Sequence, residues 1–160
     1  MIVETPSGRA DILDKAKTVA VVGASDNPAR ASYFVLRYLK MHGYAVFAVN
    51  PNLERVDGQK SYPDLTALVK ERGIPDVVDV FRRPEALPGL VEEAIACGVK
   101  TLWLQYGVVN AAAIQRADSA GLTVVADRCM KVEHARFGRA LSSQGFDSGI
   151  ISSRRRPVET

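Results

Sequence analysis

The chain has 160 residues, near the size of one compact domain, with 47% apolar and 24% charged side chains, a composition that excludes a wholly disordered or fibrous protein. Its 21 basic and 18 acidic residues give a net charge of +3, but with Arg154, Arg155, Arg156 and Glu159 set aside, residues 1–153 carry 18 against 17. That balance is too even for a nucleic-acid platform, which depends on many phosphate contacts. Apolar runs stay far short of the roughly 20 residues a membrane-spanning helix needs, and the opening MIVETPSGRADILDKAK lacks the continuous apolar core of a secretory signal. Cys97 and Cys129 form no CxxC pair, and His42 and His134 are too far apart in sequence to suggest a zinc set. A reducing, cytoplasmic setting is therefore expected.

In chain order, residues 1–17 read as a lead-in, loose through Thr5-Pro6-Ser7-Gly8, with a short helix from about Arg9 to Ala16. Five Val-rich runs then recur at Thr18–Val22, Ala45–Val49, Val77–Phe81, Thr101–Leu104 and Thr123–Ala126, their starts 22 to 32 residues apart. They do not alternate with polar residues, as expected of parallel strands covered on both faces, and each gap has room for a crossover. A helix from about Ala31 ends at Gly43, and another covers Asp64 to Arg72. Leu87, Leu90, Val91, Ala94 and Ile95 repeat with a helical period that stops at Gly98, and Asn110 caps a helix ending at Gly121. The spacing predicts an α/β fold: an open, doubly wound, five-stranded parallel sheet with helices on both faces, in the order 3-2-1-4-5, over residues 18–141. From Ser142 onward Ser, Gly and Arg dominate, so residues 142–160 are expected to be a disordered tail.

In such a sheet ligands sit beyond the carboxyl ends of the strands. The first loop there, Gly23-Ala24-Ser25-Asp26-Asn27-Pro28-Ala29-Arg30, begins with a glycine that permits a tight turn and ends where a helix offers free N–H groups to an anion. Arg30 and the hydroxyls of Ser25 and Ser32 add charge and donors, which suits a diphosphate. On this reading, bulk at Gly23 should harm ligand binding more than folding. The loop has neither GxxxxGK[ST] nor GxGxxG, and Asn50-Pro51-Asn52 stands where an NAD site carries an acid for the ribose. After the third run, Arg82 and Arg83 can give paired donors to a phosphate, while Phe81 reads equally as core or as a lid on a planar base. Gln105-Tyr106-Gly107 follows the fourth run at the same edge. No catalytic constellation is evident. Cys97, Cys129 and Trp103 read as core, His42 as a helix-end partner, and Asp127 and Glu133 form no acid–base pair.

With these loops placed, the chain resembles the small free-standing CoA-binding proteins, which are similar to the CoA-binding domain of the succinyl-CoA synthetase alpha subunit. The likeness runs from about residue 15 to 137 through Val19-Ala20-Val21-Val22-Gly23-Ala24-Ser25, Pro28 with Arg30, and Gly43-Tyr44 to Val49-Asn50-Pro51. It continues through Val80-Phe81-Arg82, Trp103-Leu104-Gln105 with Gly107, and Gly121-Leu122 to Asp127-Arg128-Cys129 and Glu133. The resemblance implies a Rossmann-like fold that binds coenzyme A or an acyl-CoA without autonomous catalysis. It implies that Gly23, Ala24, Ser25 and Asp26 contact the diphosphate, with Arg30 and Ser32 nearby. Asn50 and Pro51 would flank the nucleotide, and Phe81, Arg82 and Arg83 would line the site beyond the third strand. The synthetase has a more glycine-rich first loop and a second domain bearing a phosphorylated histidine, neither of which this chain shows, so ligase activity is not implied. Two other readings stay open: an NADP-dependent oxidoreductase with Arg82 and Arg83 on the 2′-phosphate, and an interaction module with a vestigial site whose Arg154–Arg156 segment meets an acidic partner.

Overall fold

A computed structural model describes residues 1–143, with side-chain surroundings through Phe137. Strands β1 (Thr18–Val22), β2 (Ala45–Val49), β5 (Val77–Val80), β6 (Thr101–Leu104) and β7 (Thr123–Val125) match the five apolar runs to within a residue. Two more, β3 (Arg55–Val56) and β4 (Gln59–Tyr62), form a hairpin whose two-residue Asp57-Gly58 turn has φ of 51° and 77°, the geometry of tight hairpin turns. The sheet therefore has seven strands rather than five, ordered β3-β4-β2-β1-β5-β6-β7.

The expected order 3-2-1-4-5 does not hold for the five apolar runs, which lie as 2-1-3-4-5. The reason is the unexpected β4, which pairs parallel with β2 on the side away from β1. Counting it restores the doubly wound arrangement, with six parallel strands reversing direction of build at β1 and β5. The switch point thus falls between the loops after β1 and β5.

Helices α3 (Leu65–Arg72), α4 (Leu87–Cys97) and α5 (Ala111–Ser119) cover one face of the sheet, over Ala20, Val22, Val78, Val80, Leu102 and Leu104. Helices α1 (Pro6–Lys15), α2 (Ala31–Met41) and α6 (Met130–Ser143) cover the other, over Val19, Val21, Val77, Trp103 and Val125. Alternation of side chains along each strand explains why both faces need apolar residues, and hence the largely apolar runs. Thr5 caps α1, Asp64 caps α3 and Asn110 caps α5 through their side-chain oxygens. The lead-in is fastened: Ile2 bridges to Val124, Val3 is buried and donates to the Val124 carbonyl, and α1 is locked to α6 by the buried Arg9–Glu133 ion pair at 2.7 Å. Helix α6 runs to Ser143, two residues into the segment expected to be a tail. The rest of that segment, 144–160, with Arg154–Arg156, lies outside the described residues.

One residue breaks the apolar rule at the centre of the sheet. Asp79 in β5 sits between Val21 of β1 and Trp103 of β6, fully buried, with no hydrogen-bond partner for either carboxylate oxygen. Burial alone pushes its pKa well above the ordinary carboxylate value, because the charged form loses its hydration. The native state therefore holds a proton that the unfolded chain releases near its ordinary pKa of about 3.9. The neutral carboxyl's contribution is fully present below that pH and is lost as pH rises toward the folded-state value. Asp79→Val, which extends the flanking valines, is expected to stabilise the protein at neutral pH by about 1–3 kcal/mol. Urea midpoints of both proteins across pH 4.5 to 7.5 check this, and a gain that fails to grow with pH would show that the carboxyl is not the cause.

Candidate functional site

The carboxyl ends of β1, β2, β5 and β6 open onto one cavity of about 660 Å³. Of the ligand residues expected from the sequence, Gly23, Ser25, Arg30, Ser32, Asn50, Pro51, Phe81, Arg82 and Arg83 line it together. Ala24 and Asp26 do not. Ala24 is fully buried, and its carbonyl accepts from Asn50 Nδ2 at 2.7 Å. Asp26 turns to the hairpin, where its Oδ1 accepts from the Asp57 backbone N–H at 2.8 Å.

The first loop is built differently from the sequence expectation. The N–H groups of Gly23 and Ala24 both donate to the Val49 carbonyl, at 2.9 and 3.4 Å, so they tie the loop to β2. Gly23 has φ +86°, and a Cβ added there would lie 2.0 Å from the Phe81 carbonyl oxygen. The space beside Gly23 is thus filled by the Phe81 backbone, immediately after β5. Bulk at Gly23, expected to harm ligand binding more than folding, therefore carries a folding cost of its own. The donors left facing the cavity are those expected at the start of α2. No side chain caps its start at Arg30, leaving first-turn N–H groups at Ala31 and Ser32 without helical acceptors, the arrangement that attracts anions.

Asn50 acts as a clamp between two loops: its Nδ2 holds the first loop at Ala24, and its Oδ1 accepts from the Asn52 N–H at 2.7 Å. Its amide is spent on backbone at the position where a dinucleotide fold places a ribose-binding acid. The described ion pairs of arginine engage Arg9, Arg37, Arg72, Arg116 and Arg136. Arg30, Arg82 and Arg83 are exposed and have no acidic partner among the described residues. Three guanidinium groups beside an uncapped helix start give the cavity a positively charged lining, with no acidic residue among those that line it.

The far wall was not in the expected ligand set. Gln105, Tyr106 and Val108 line the cavity beyond β6. Gln105 is buried, and its Oε1 accepts from the Met130 N–H at the start of α6, while Tyr106 is 60% exposed. Position after the fourth apolar run places Gln105 and Tyr106 at this edge from the sequence alone, with no ligand role assigned to them; Val108, three residues further on than Gln105, carries no signal of its own.

The remaining candidates lie elsewhere. Cys129 and Trp103 are buried, as core residues, whereas Cys97 is half-buried. His134 Nδ1 is 2.9 Å from the Tyr38 hydroxyl, and its ring stands edge-on to His42. Burial, helped by His42, pushes its pKa down to about 4, and burial pushes Tyr38 up to about 12. His42 and His134 line a separate cleft of about 860 Å³ at the opposite, amino edge, beside the first residues of β1 and β2. Among the described residues no group of three or more His, Cys, Asp or Glu side chains is placed to hold a metal ion, and no helix is long and apolar enough to cross a membrane.

Comparison with known proteins agrees with this architecture. Residues 17–135 match the family model described as a CoA binding domain. The chain is 40% identical over 125 residues to the uncharacterized protein YneT of Bacillus subtilis (strain 168), covering 78% of this chain and 90% of that protein. It is similar in structure to Prb, the PH1109 protein redesigned for binding, with a TM-score of 0.79 and 40% identity over 85% of this chain and 94% of that one. A hypothetical protein from Pyrococcus horikoshii OT3 gives a TM-score of 0.78 at 42% identity, over 83% and 92% of the two chains. The fold is an α/β, Rossmann-like one, and the chain belongs to the CoA binding domain family.

Proposed function

We propose that the chain binds coenzyme A or an acyl-CoA in the cavity at the carboxyl edge, as a binding protein without turnover of its own. The observation that carries this reading is the meeting of the uncapped start of α2 with Arg30, Arg82 and Arg83 in one cavity. CoA carries a diphosphate and a separate 3′-phosphate, and this cavity has separate cationic groups to meet them. The helix start takes the diphosphate, and the arginine pair after β5 takes the 3′-phosphate through charge-assisted bonds. The polar side chains that line the cavity are Arg, Asn, Ser, Gln and Tyr, a set suited to holding a ligand.

Thermal shift with CoA, acetyl-CoA, dephospho-CoA, NAD and NADP tests the proposal. At about 100 times its dissociation constant a ligand of the native state adds about 2.7 kcal/mol, so CoA is expected to raise Tm by roughly 5–10 °C, with NAD giving no shift. Arg82→Ala with Arg83→Ala is expected to weaken CoA by about 1–3 kcal/mol and to abolish the preference over dephospho-CoA. A shift with NAD and none with CoA would sink the reading. Equal preference for CoA and dephospho-CoA in both proteins would remove the arginine pair from it.

A further inference from the structure

The wall beyond β6 is a turn held from outside. The Val108 N–H donates to the Gln105 carbonyl at 3.0 Å, and Gly107 has φ +79°, which makes Gln105–Val108 a turn with glycine at the position that needs a positive φ. Tyr106 stands at its exposed corner, on the cavity. Residues after β7 hold the end of β6 and, at Gln105 and Gly107, the turn itself. Trp103 Nε1 donates to the Arg128 carbonyl at 3.0 Å, the Arg128 N–H to the Leu104 carbonyl at 3.2 Å, and the Met130 N–H to Gln105 Oε1 at 3.1 Å. The last grip is the Gly107 N–H, which donates to Asp127 Oδ1 at 2.9 Å. Asp127 itself has φ +59°, a left-handed conformation that costs an ordinary residue and is easiest for Asn and Asp. A side chain that accepts the turn's N–H from a strained backbone position is a feature that the surrounding structure maintains against its cost.

We infer that Asp127 is a positioning residue: it fixes the Gln105–Val108 turn and so governs recognition of the uncharged arm of the ligand, leaving the phosphates to the rest of the cavity. The inference rests on the CoA reading above. The cationic groups, Arg30, Arg82, Arg83 and the start of α2, belong to the loops after β1 and β5, whereas the β6 wall offers an amide, a phenol and a valine. Pantetheine is a neutral chain of two amides ending in a thiol or thioester, and matches this uncharged wall by chemistry. Asp127 does not line the cavity, so its effect passes through Gly107 and the turn.

The test compares two probes, CoA and its arm-less fragment 3′-phospho-ADP, on the wild-type chain and three variants. Asp127→Gly keeps the left-handed backbone and removes the acceptor. Asp127→Ala removes both. Asp127→Asn keeps an Oδ1 acceptor and a side chain that tolerates the conformation. Dissociation constants by calorimetry, with Tm of each unliganded protein, give the readout. The Gly and Ala variants are expected to lose roughly five- to tenfold in CoA affinity, the scale of one hydrogen bond, with 3′-phospho-ADP changed less than about twofold, and Asn is expected to restore wild-type behaviour. Should Ala unfold the chain, the Gly and Asn pair decides, since both accept the backbone conformation. Equal losses for the two probes, no loss for either, or failure of Asn to rescue would overturn the role of Asp127 while leaving the CoA site standing. Wild-type protein that binds neither probe would overturn the site itself, and this inference with it.

Discussion

Gly23→Ala is expected to lose about 3 kcal/mol or more of folding stability before any ligand is considered. Two costs combine. At φ +86° an L side chain is strained by roughly 1–2 kcal/mol, and the new Cβ would stand 2.0 Å from the Phe81 carbonyl oxygen and 2.9 Å from its carbon. That carbonyl cannot step aside cheaply, because the Phe81 N–H donates to Val22 and the preceding residues of β5 are paired to β1 and β6. Overpacking against fixed backbone costs about 1–3 kcal/mol. Gly107 supplies the control: its φ is +79°, but nothing lies within 4 Å of its added Cβ, so Gly107→Ala should cost only the conformational part, about 1–2 kcal/mol. Calorimetric melting of the two unliganded variants settles the point, with a drop of roughly 10 °C expected for Gly23→Ala. An unchanged melting temperature with lost CoA affinity would return Gly23 to a ligand-contact role.

Arg9→Met is expected to be comparably severe. Arg9 is 3% exposed and Glu133 1%, their Nε and Oε1 2.7 Å apart, and Arg9 also donates to the Glu4 carbonyl at 3.2 Å. Removing one member of a buried pair strands the other charge and typically costs 3–5 kcal/mol. Arg136, bonded to Glu133 Oε2 at 3.1 Å but itself half in solvent, keeps the loss toward the lower end of that range. Arg9→Met combined with Glu133→Leu should recover most of it, since an apolar pair of similar volume replaces a buried ion pair at little or no cost. Urea unfolding of the two singles and the double gives the coupling directly. A single variant losing no more than a surface substitution, about 0.5 kcal/mol, would mean that α1 is not held to α6 by this contact.

What the sequence made legible was whatever burial on both faces writes into it. The Val-rich runs announce five strands because each is covered above and below, and Asp64, Asn110 and Gly98 mark helix ends through local chemistry. Strand β4 reads Gln-Lys-Ser-Tyr, polar at its first three positions, with Ser61 and Tyr62 alone buried, so no apolar run betrays it. The Asp57-Gly58 pair was the available clue. Arg9 and Glu133 look like surface residues in a one-dimensional reading, because the partner that compensates each buried charge lies 124 positions away. Asp79 hides inside a run of valines that still reads as a strand. Around the cavity, the loops after β1, β2 and β5 were placed by strand order and composition. The roles inside the first loop were not, because Gly23, Ala24 and Asp26 meet the Val49 carbonyl, the Asn50 side chain, the Phe81 backbone and the hairpin, all distant in sequence.

The way the sheet stops at each side bears on how copies of the chain can meet. A long bare outer strand is a template for strand addition by a neighbour. Here β7 is three residues long and its outer side is met by Ile2 and Val3, while on the opposite side β3 is a two-residue arm of a tight hairpin. Neither border offers enough unpaired backbone to seat another strand. Self-association of the described domain would therefore have to use side chains projecting from helices and loops, where a single charge reversal can tune it, and the hydrogen-bonded ladder stays closed to intruding segments.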